Sequence, residues 1–222
     1  MKDGKANSST YFPAFLDIRG RKCVVVGGGN VALRKMKILL NCGADVTVVS
    51  SRIHPDLARM EKEKIIRVIR RNYEPGDLER AFVVVAATDD RGINRRVAKD
   101  AKKARALVNA VDDLEPSDFI VPAVVRRGNF TLAISTGGRS PALSRKLRER
   151  LETMFGAEYS SLVALVEEIR SSLKRKGTPV DAETWQDALE IDMILKLLKT
   201  GKRKKAKDFI TGRLMKAKNG GV

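Results

Sequence analysis

Apolar residues along this chain follow two alternating spacings. Short runs rich in β-branched residues, 23–26, 45–49, 65–69, 82–87 and 107–111, read as strands. The unbroken apolar character of CVVV and FVVVAA suits parallel strands covered on both faces. Between the runs, apolar positions recur at helical spacing. Val31, Ala32, Met36, Leu39 and Leu40 mark a helix closed by Gly43, a charged helix follows over 55–64, and another over 93–104. Strands alternating with helices specify a parallel, doubly wound sheet over residues 20–112. Ligands of such sheets lie beyond the carboxyl ends of the strands. Three segments leaving those ends should therefore build the site: GGGN after the first strand, TDD (Thr88, Asp89, Asp90) after the fourth, and Asp112 with Asp113 after the fifth.

After residue 113 the pattern changes. Residues 119–125 and 130–135 are two apolar runs joined by Arg126, Arg127, Gly128 and Asn129, which predicts an antiparallel hairpin. Its apolar content is high for a projecting element, so it is expected to bury against a second copy of the chain, with Val125 and Leu132 at outward positions. A second glycine-rich turn, Thr136, Gly137, Gly138, Arg139 and Ser140, feeds a helix over 141–154, with Ser140 as N-cap and Pro141 as first helical residue. A capped helix start of this kind also suits anions. Leu162, Leu165, Val166 and Ile169 mark one further helix, and Trp185, Leu189, Met193, Leu197 and Leu198 another, separated by the breaker KGTPVD. The expected fold class is α/β: a Rossmann-like parallel sheet domain (1–113), a small antiparallel dimerisation segment (114–144) and a C-terminal helical domain with a basic tail (145–222).

The turn after the first strand carries the candidate chemistry. Gly27, Gly29 and Ala32 fit G-x-G-x-x-G/A in a strand–turn–helix setting. Gly27 would make the tight turn, Gly29 would let the backbone approach a pyrophosphate, and Ala32 would let helix pack on strand. The amide groups opening the helix would then face the phosphates. The acidic residue that usually ends the second strand is missing, and the chain reads Ser50, Ser51, Arg52 instead. Hydroxyls suit a ribose and Arg52 suits a 2′-phosphate, so this chemistry fits NAD and NADP alike.

Composition narrows the partners. The 222 residues, 43% hydrophobic, can bury a substantial core. No stretch approaches the length of a membrane span and the start, MKDGKANSST, is polar, so a cytoplasmic protein with no membrane partner is expected. Cys23 and Cys42 read as small core residues, and with one histidine in the chain no His/Cys metal site is expected. The net charge is +17, from 44 Lys and Arg against 27 Asp and Glu. Such a surface favours polyanions, including small molecules with many carboxylates. Much of the excess lies in the tail, at Lys202, Arg203, Lys204, Lys205, Lys207, Arg213, Lys216 and Lys218 against Asp208 alone. No helix-turn-helix, zinc or RNA-binding signature accompanies the charge, so nucleic acid is not the expected partner.

Taken together, YFPAFLDIRGRKCVVVGGGNVALRK, AATDDRGINRRVA, VNAVDD and FIVPAVVRRGNFTLAISTGGRSPALSRKLRERLE resemble the precorrin-2 dehydrogenase family, which includes the N-terminal module of siroheme synthase. The likeness runs from residue 11 to about residue 155. It implies NAD-dependent oxidation of precorrin-2 to sirohydrochlorin, with iron insertion to give siroheme in some members. By the same resemblance Asp112 is the catalytic residue, and Gly27, Gly28, Gly29, Asn30, Val31, Ser51, Arg52, Thr88 and Asn94 contact the cofactor, NAD. Thr136, Gly137, Gly138, Arg139 and Ser140 lie by the tetrapyrrole, and residues 119–135 form a homodimer. A redox-sensing NAD-binding module without catalysis is the alternative expectation.

Overall fold

A computed structural model describes residues 11–219, the last three by backbone alone; stretch 1–10 and residues 220–222, with the end of the basic tail, lie outside it. The chain forms two compact units, Met1–Val121 and Pro122–Val222.

The first unit is built on five strands, β1 (Lys22–Val26), β2 (Asp45–Val49), β3 (Arg67–Ile69), β4 (Val83–Ala86) and β5 (Leu107–Ala110). All pair in parallel, in the order β3-β2-β1-β4-β5. The period of two along each strand sorts its valines onto two faces. Cys23, Val25, Val46, Val48, Val83 and Val85 pack with α1 (Asn30–Asn41) and α2 (Pro55–Lys62) through Ala32, Met36 and Leu57. Val24, Val26, Val84, Ala86 and Val108 pack with α3 (Arg91–Lys103) through Val97, Ala98 and Ala101. Both faces of β1 are thereby closed, which explains its unbroken apolar run. Burial also pushes the Cys23 thiol up to about 11, that of an inert core group. Strand β3 starts at Arg67, later than its apolar run, because Lys64 turns the chain after α2 at φ +58°. A one-turn 3-10 helix, Pro75–Leu78, was not legible as an element, yet Leu78 seals one face of the core.

In the second unit, β6 (Ala123–Arg127) pairs antiparallel with β7 (Phe130–Ile134). The hairpin therefore differs from the expected 119–125 and its four-residue turn. Arg126 and Arg127 lie inside the strand, and the turn is the two residues Gly128 and Asn129, with Gly128 at φ +57° as a type II′ turn requires. The faces are also corrected. Val125 sits opposite Leu132 and is fully buried, so the outer face carries Val124, Arg126, Thr131 and Ala133. Phe130 stacks with Phe155 and Tyr159, ring centroids 5.5 and 5.1 Å away, so the hairpin shares a unit with the helices that follow it.

Those helices are α4 (Pro141–Met154), α5 (Glu158–Arg175), α6 (Ala182–Ala188), α7 (Ile191–Lys199) and α8 (Arg203–Asn219). The apolar stripe expected to form one helix is split at Leu189 and Glu190, whose ψ angles of 71° and 85° are not helical. On one straight helix Ala188 and Ile194 would point about a third of a turn apart; the break lets both enter the core. The basic tail is part of that core too. Ala206, Ile210 and Leu214, at i, i+4 and i+8 of α8, are wholly buried. On its outer side Arg203 and Lys207 each lie 2.6 Å from Glu168, and Arg213 lies 3.1 Å from Glu190.

Leu214→Ala is therefore expected to cost about 2–5 kcal/mol in chemical denaturation, as other buried leucines do. Lys204→Ala, on the exposed face of the same helix, should change stability by less than about 0.5 kcal/mol.

Candidate functional site

A cavity of about 390 Å³ opens at the carboxyl ends of β1 to β4. The turn from β1 to α1 forms its floor, and the segments after β2, β3 and β4 form its walls. Gly27, Gly28, Gly29, Asn30, Ser51, Arg52 and Thr88 all line it, as expected from the sequence. Val31 is 38% exposed on α1, outside the lining, and Asn94 is buried behind it.

The three glycines of the turn differ in what they need. A Cβ on Gly27, which has φ +125°, would collide with the carbonyl oxygen of Ala87, and one on Gly28 would collide with that of Arg52. These two are glycines because backbone lies against them. Gly28, outside the glycine pattern read from the sequence, is as constrained as Gly27. Gly29 is the opposite case: at φ −86° and ψ −169° a side chain is allowed, and its Cβ would meet nothing within 4 Å. The space above Gly29 is a cradle on the cavity side.

Among the α-helices described in this unit, α1 is the one without a side-chain cap. Gly29 offers no side-chain cap and its first turn holds no acid. By contrast, His54 accepts from Asp56 N at the start of α2, and Asp90 accepts from Gly92 N and Ile93 N at the start of α3. The unpaired amides and dipole of α1 thus favour an anion where the glycines allow close approach. The cradle and the free helix start fit a dinucleotide pyrophosphate.

The walls are held by short-range bonds. Ser50 Oγ donates to Arg52 O at 2.6 Å and folds the segment after β2, leaving Ser51 and Arg52 exposed to the cavity. After β4, Asn94 accepts from Thr88 N at 3.0 Å and from Thr88 Oγ1 at 2.8 Å, and donates to Thr88 O at 2.9 Å. Asn94 thus positions Thr88 and reaches the cavity through it. Sequence reasoning missed Arg71, Asn72 and Tyr73, which line the cavity after β3. The strand-end rule could have found them had β3 been followed to its exit. Arg71 forks onto Asp77 at 2.7 and 2.9 Å. Burial raises the Asp77 carboxyl, but the guanidinium and the Glu74 amide outweigh it and hold the group below the usual carboxylate range.

One strand further along the same edge, Asp112 leaves β5 in the left-handed region at φ +59° and is exposed. Among the described residues nothing bonds to its carboxylate. Its neighbour Asp113 is held by Arg95 at 3.1 Å. In the second unit, Thr136 organises the turn before α4: Ser140 N donates to its Oγ1 at 3.1 Å, and Arg139 N donates to its carbonyl at 3.1 Å. Gly137 and Gly138 take φ +62° and +80°, and Ser140 accepts from Leu143 N as the N-cap.

The glycine contrast is testable. Gly29→Val should leave stability within about 1 kcal/mol, the scale of a lost N-cap preference, while calorimetric titration shows NAD affinity lowered at least about tenfold. Gly28→Ala should instead unfold at markedly lower denaturant.

Comparison with known proteins follows the same lines. A family model described as NAD(P)-binding matches residues 14–123, and one described as sirohaem biosynthesis protein central matches residues 127–154. The siroheme synthase of Methylobacillus flagellatus is 44% identical over 180 residues, 80% of this chain and 38% of the relative. That of Thioalkalivibrio sulfidiphilus is 38% identical over 202 residues, 90% of this chain and 41% of the relative. The chain thus spans about two fifths of the length of these curated relatives. Among solved structures, "SirC, precorrin-2 dehydrogenase" superposes with a TM-score of 0.70 at 29% identity, over 91% of this chain and 98% of that one. Sheet order, glycine cradle, sequence identity and backbone agree: the chain belongs to the precorrin-2 dehydrogenase and siroheme synthase family.

Proposed function

We propose that this protein oxidises precorrin-2 to sirohydrochlorin with NAD, and that Asp112 takes the proton released. The observation carrying this reading is the pairing, along one sheet edge, of an uncapped glycine cradle with an exposed carboxylate that has no bonded partner among the described residues. The names of its relatives, a synthase and a dehydrogenase, favour catalysis over a regulatory module.

Removing two hydrogens from the tetrapyrrole gives one hydride and one proton. NAD, when bound, supplies the hydride acceptor. The chain's own residues do the rest. Gly27 and Gly28 hold the turn, the first amides of α1 receive the pyrophosphate, Ser51 and Arg52 face the adenosine ribose, and Thr88 is fixed by Asn94 between these contacts and β5. Asp112 stands at the next strand end as a carboxylate able to accept a proton. A left-handed backbone is tolerated by aspartate and asparagine better than by most residues. Thr136, Gly137, Gly138, Arg139 and Ser140 are proposed to meet the substrate, whose carboxylates suit a chain of net charge +17.

We further propose a cytoplasmic homodimer joined through the hairpin and the segment before it. On the outer face of the hairpin Val124 is 36% exposed, an apolar side chain that a second copy would cover. No described helix is long and apolar enough to cross a membrane.

The test is anaerobic incubation with precorrin-2 and NAD, following NADH absorbance. Asp112→Asn, which keeps the backbone conformation, should lower the rate by about a hundredfold or more with NAD affinity and thermal midpoint unchanged. A variant that forms NADH at the wild-type rate would remove Asp112 from the chemistry. Equilibrium sedimentation should give a dimer, and Val124→Glu should shift it toward monomer.

A further inference from the structure

Lys35, in the second turn of α1, is an anomaly that neither the core nor the nucleotide cavity explains. It is half-buried, yet among the described residues no carboxylate lies within ion-pair distance of it. Its exposed neighbour Lys37 does have one, Asp56 at 3.5 Å. The one side-chain bond of Lys35 among the described residues is from Nζ to Asn109 Oδ1 at 3.3 Å. Asn109 is 6% exposed in β5, and its Nδ2 donates to Phe119 O at 3.0 Å. Two of the three ammonium hydrogens therefore have no acceptor among the described residues.

Burying an ammonium without a counter-charge costs free energy, and any neutral donor could satisfy Asn109 more cheaply. Desolvation and the nearby Arg34 pull the Lys35 pKa below the ordinary lysine value, against the Asp112 carboxylate, which raises it. Lys35 thus lies within electrostatic reach of Asp112, and it is absent from the lining of the nucleotide cavity. A half-buried cation with no ion-pair partner among the described residues, outside the nucleotide cavity and within electrostatic reach of Asp112, is a place suited to an anion brought by the substrate.

We propose that Lys35 receives a carboxylate of the tetrapyrrole and so orients the ring edge beside Asp112. This rests on the precorrin-2 reading above. The incoming carboxylate would complete the ammonium's hydrogen bonds in a partly desolvated setting, where a charge-assisted bond is strong. Asn109 keeps the lysine extended toward that end of the sheet.

The experiment measures binding of uroporphyrin, a stable porphyrin with eight carboxylates, to the full chain by the anisotropy of its own fluorescence. Lys35→Met should weaken binding about tenfold, the scale of one charge-assisted bond. Lys35→Arg should retain most of it, and Lys37→Met should match the wild type. NAD affinity should be unchanged in Lys35→Met, because Lys35 lies outside the lining of the nucleotide cavity. With precorrin-2, KM should rise while kcat stays near that of the wild type. Wild-type affinity in Lys35→Met, or a fall in its NAD affinity, would each overturn the role while leaving the dehydrogenase reading in place. Failure of the wild-type protein to bind uroporphyrin would overturn both.

Discussion

Everything at the functional edge depends on one close approach of backbone to backbone. The turn leaving β1 runs against the carbonyls of Ala87 and Arg52 so tightly that neither Gly27 nor Gly28 has room for a Cβ. That contact ties the end of the central strand to the ends of both neighbours, β4 and β2. It is possible because β1 is buried on both faces and paired along its length with β2 and β4. From this junction α1 starts without a cap, and its unsatisfied amides become the electrostatic feature of the cavity.

Much of this was legible in the sequence because the signals are local. The β1–α1 turn, four of the five parallel strands and the N-cap Ser140 follow from residue type and spacing alone, and each lies where the pattern put it, while β3 is shorter than its apolar run. What could not be read depends on contacts distant in the chain. The split between α6 and α7 is set by how Ala188 and Ile194 both reach one core, which a helical stripe does not reveal. The inward face of the hairpin was misread because two strands of similar apolarity on both faces carry little register information. Val125 and Val124 look alike in sequence and differ completely in burial.

The site divides in the same way. Gly29 and Thr88 announce themselves through motifs, but the clamp that Asn94 places on Thr88 appears only once the loop is folded. Arg71 and Tyr73 came into the cavity wall through a strand too short to follow confidently from its composition. The charge shows a parallel lesson. The basic tail, prominent in composition, is partly neutralised by Glu168 and Glu190 and anchored by its apolar stripe. A half-buried lysine on α1, inconspicuous in composition, has no ion-pair partner among the described residues.

The proposed function depends on α1 being the anion-receiving helix of this sheet. Backbone amide resonances followed during titration with NAD test that directly, because the capped helices of the same unit serve as internal controls. The largest shifts are expected at Asn30, Val31 and Ala32, with little change at Gly92 and Ile93, whose amides Asp90 already occupies. Shifts centred on the start of α3, or none at the start of α1, would contradict it.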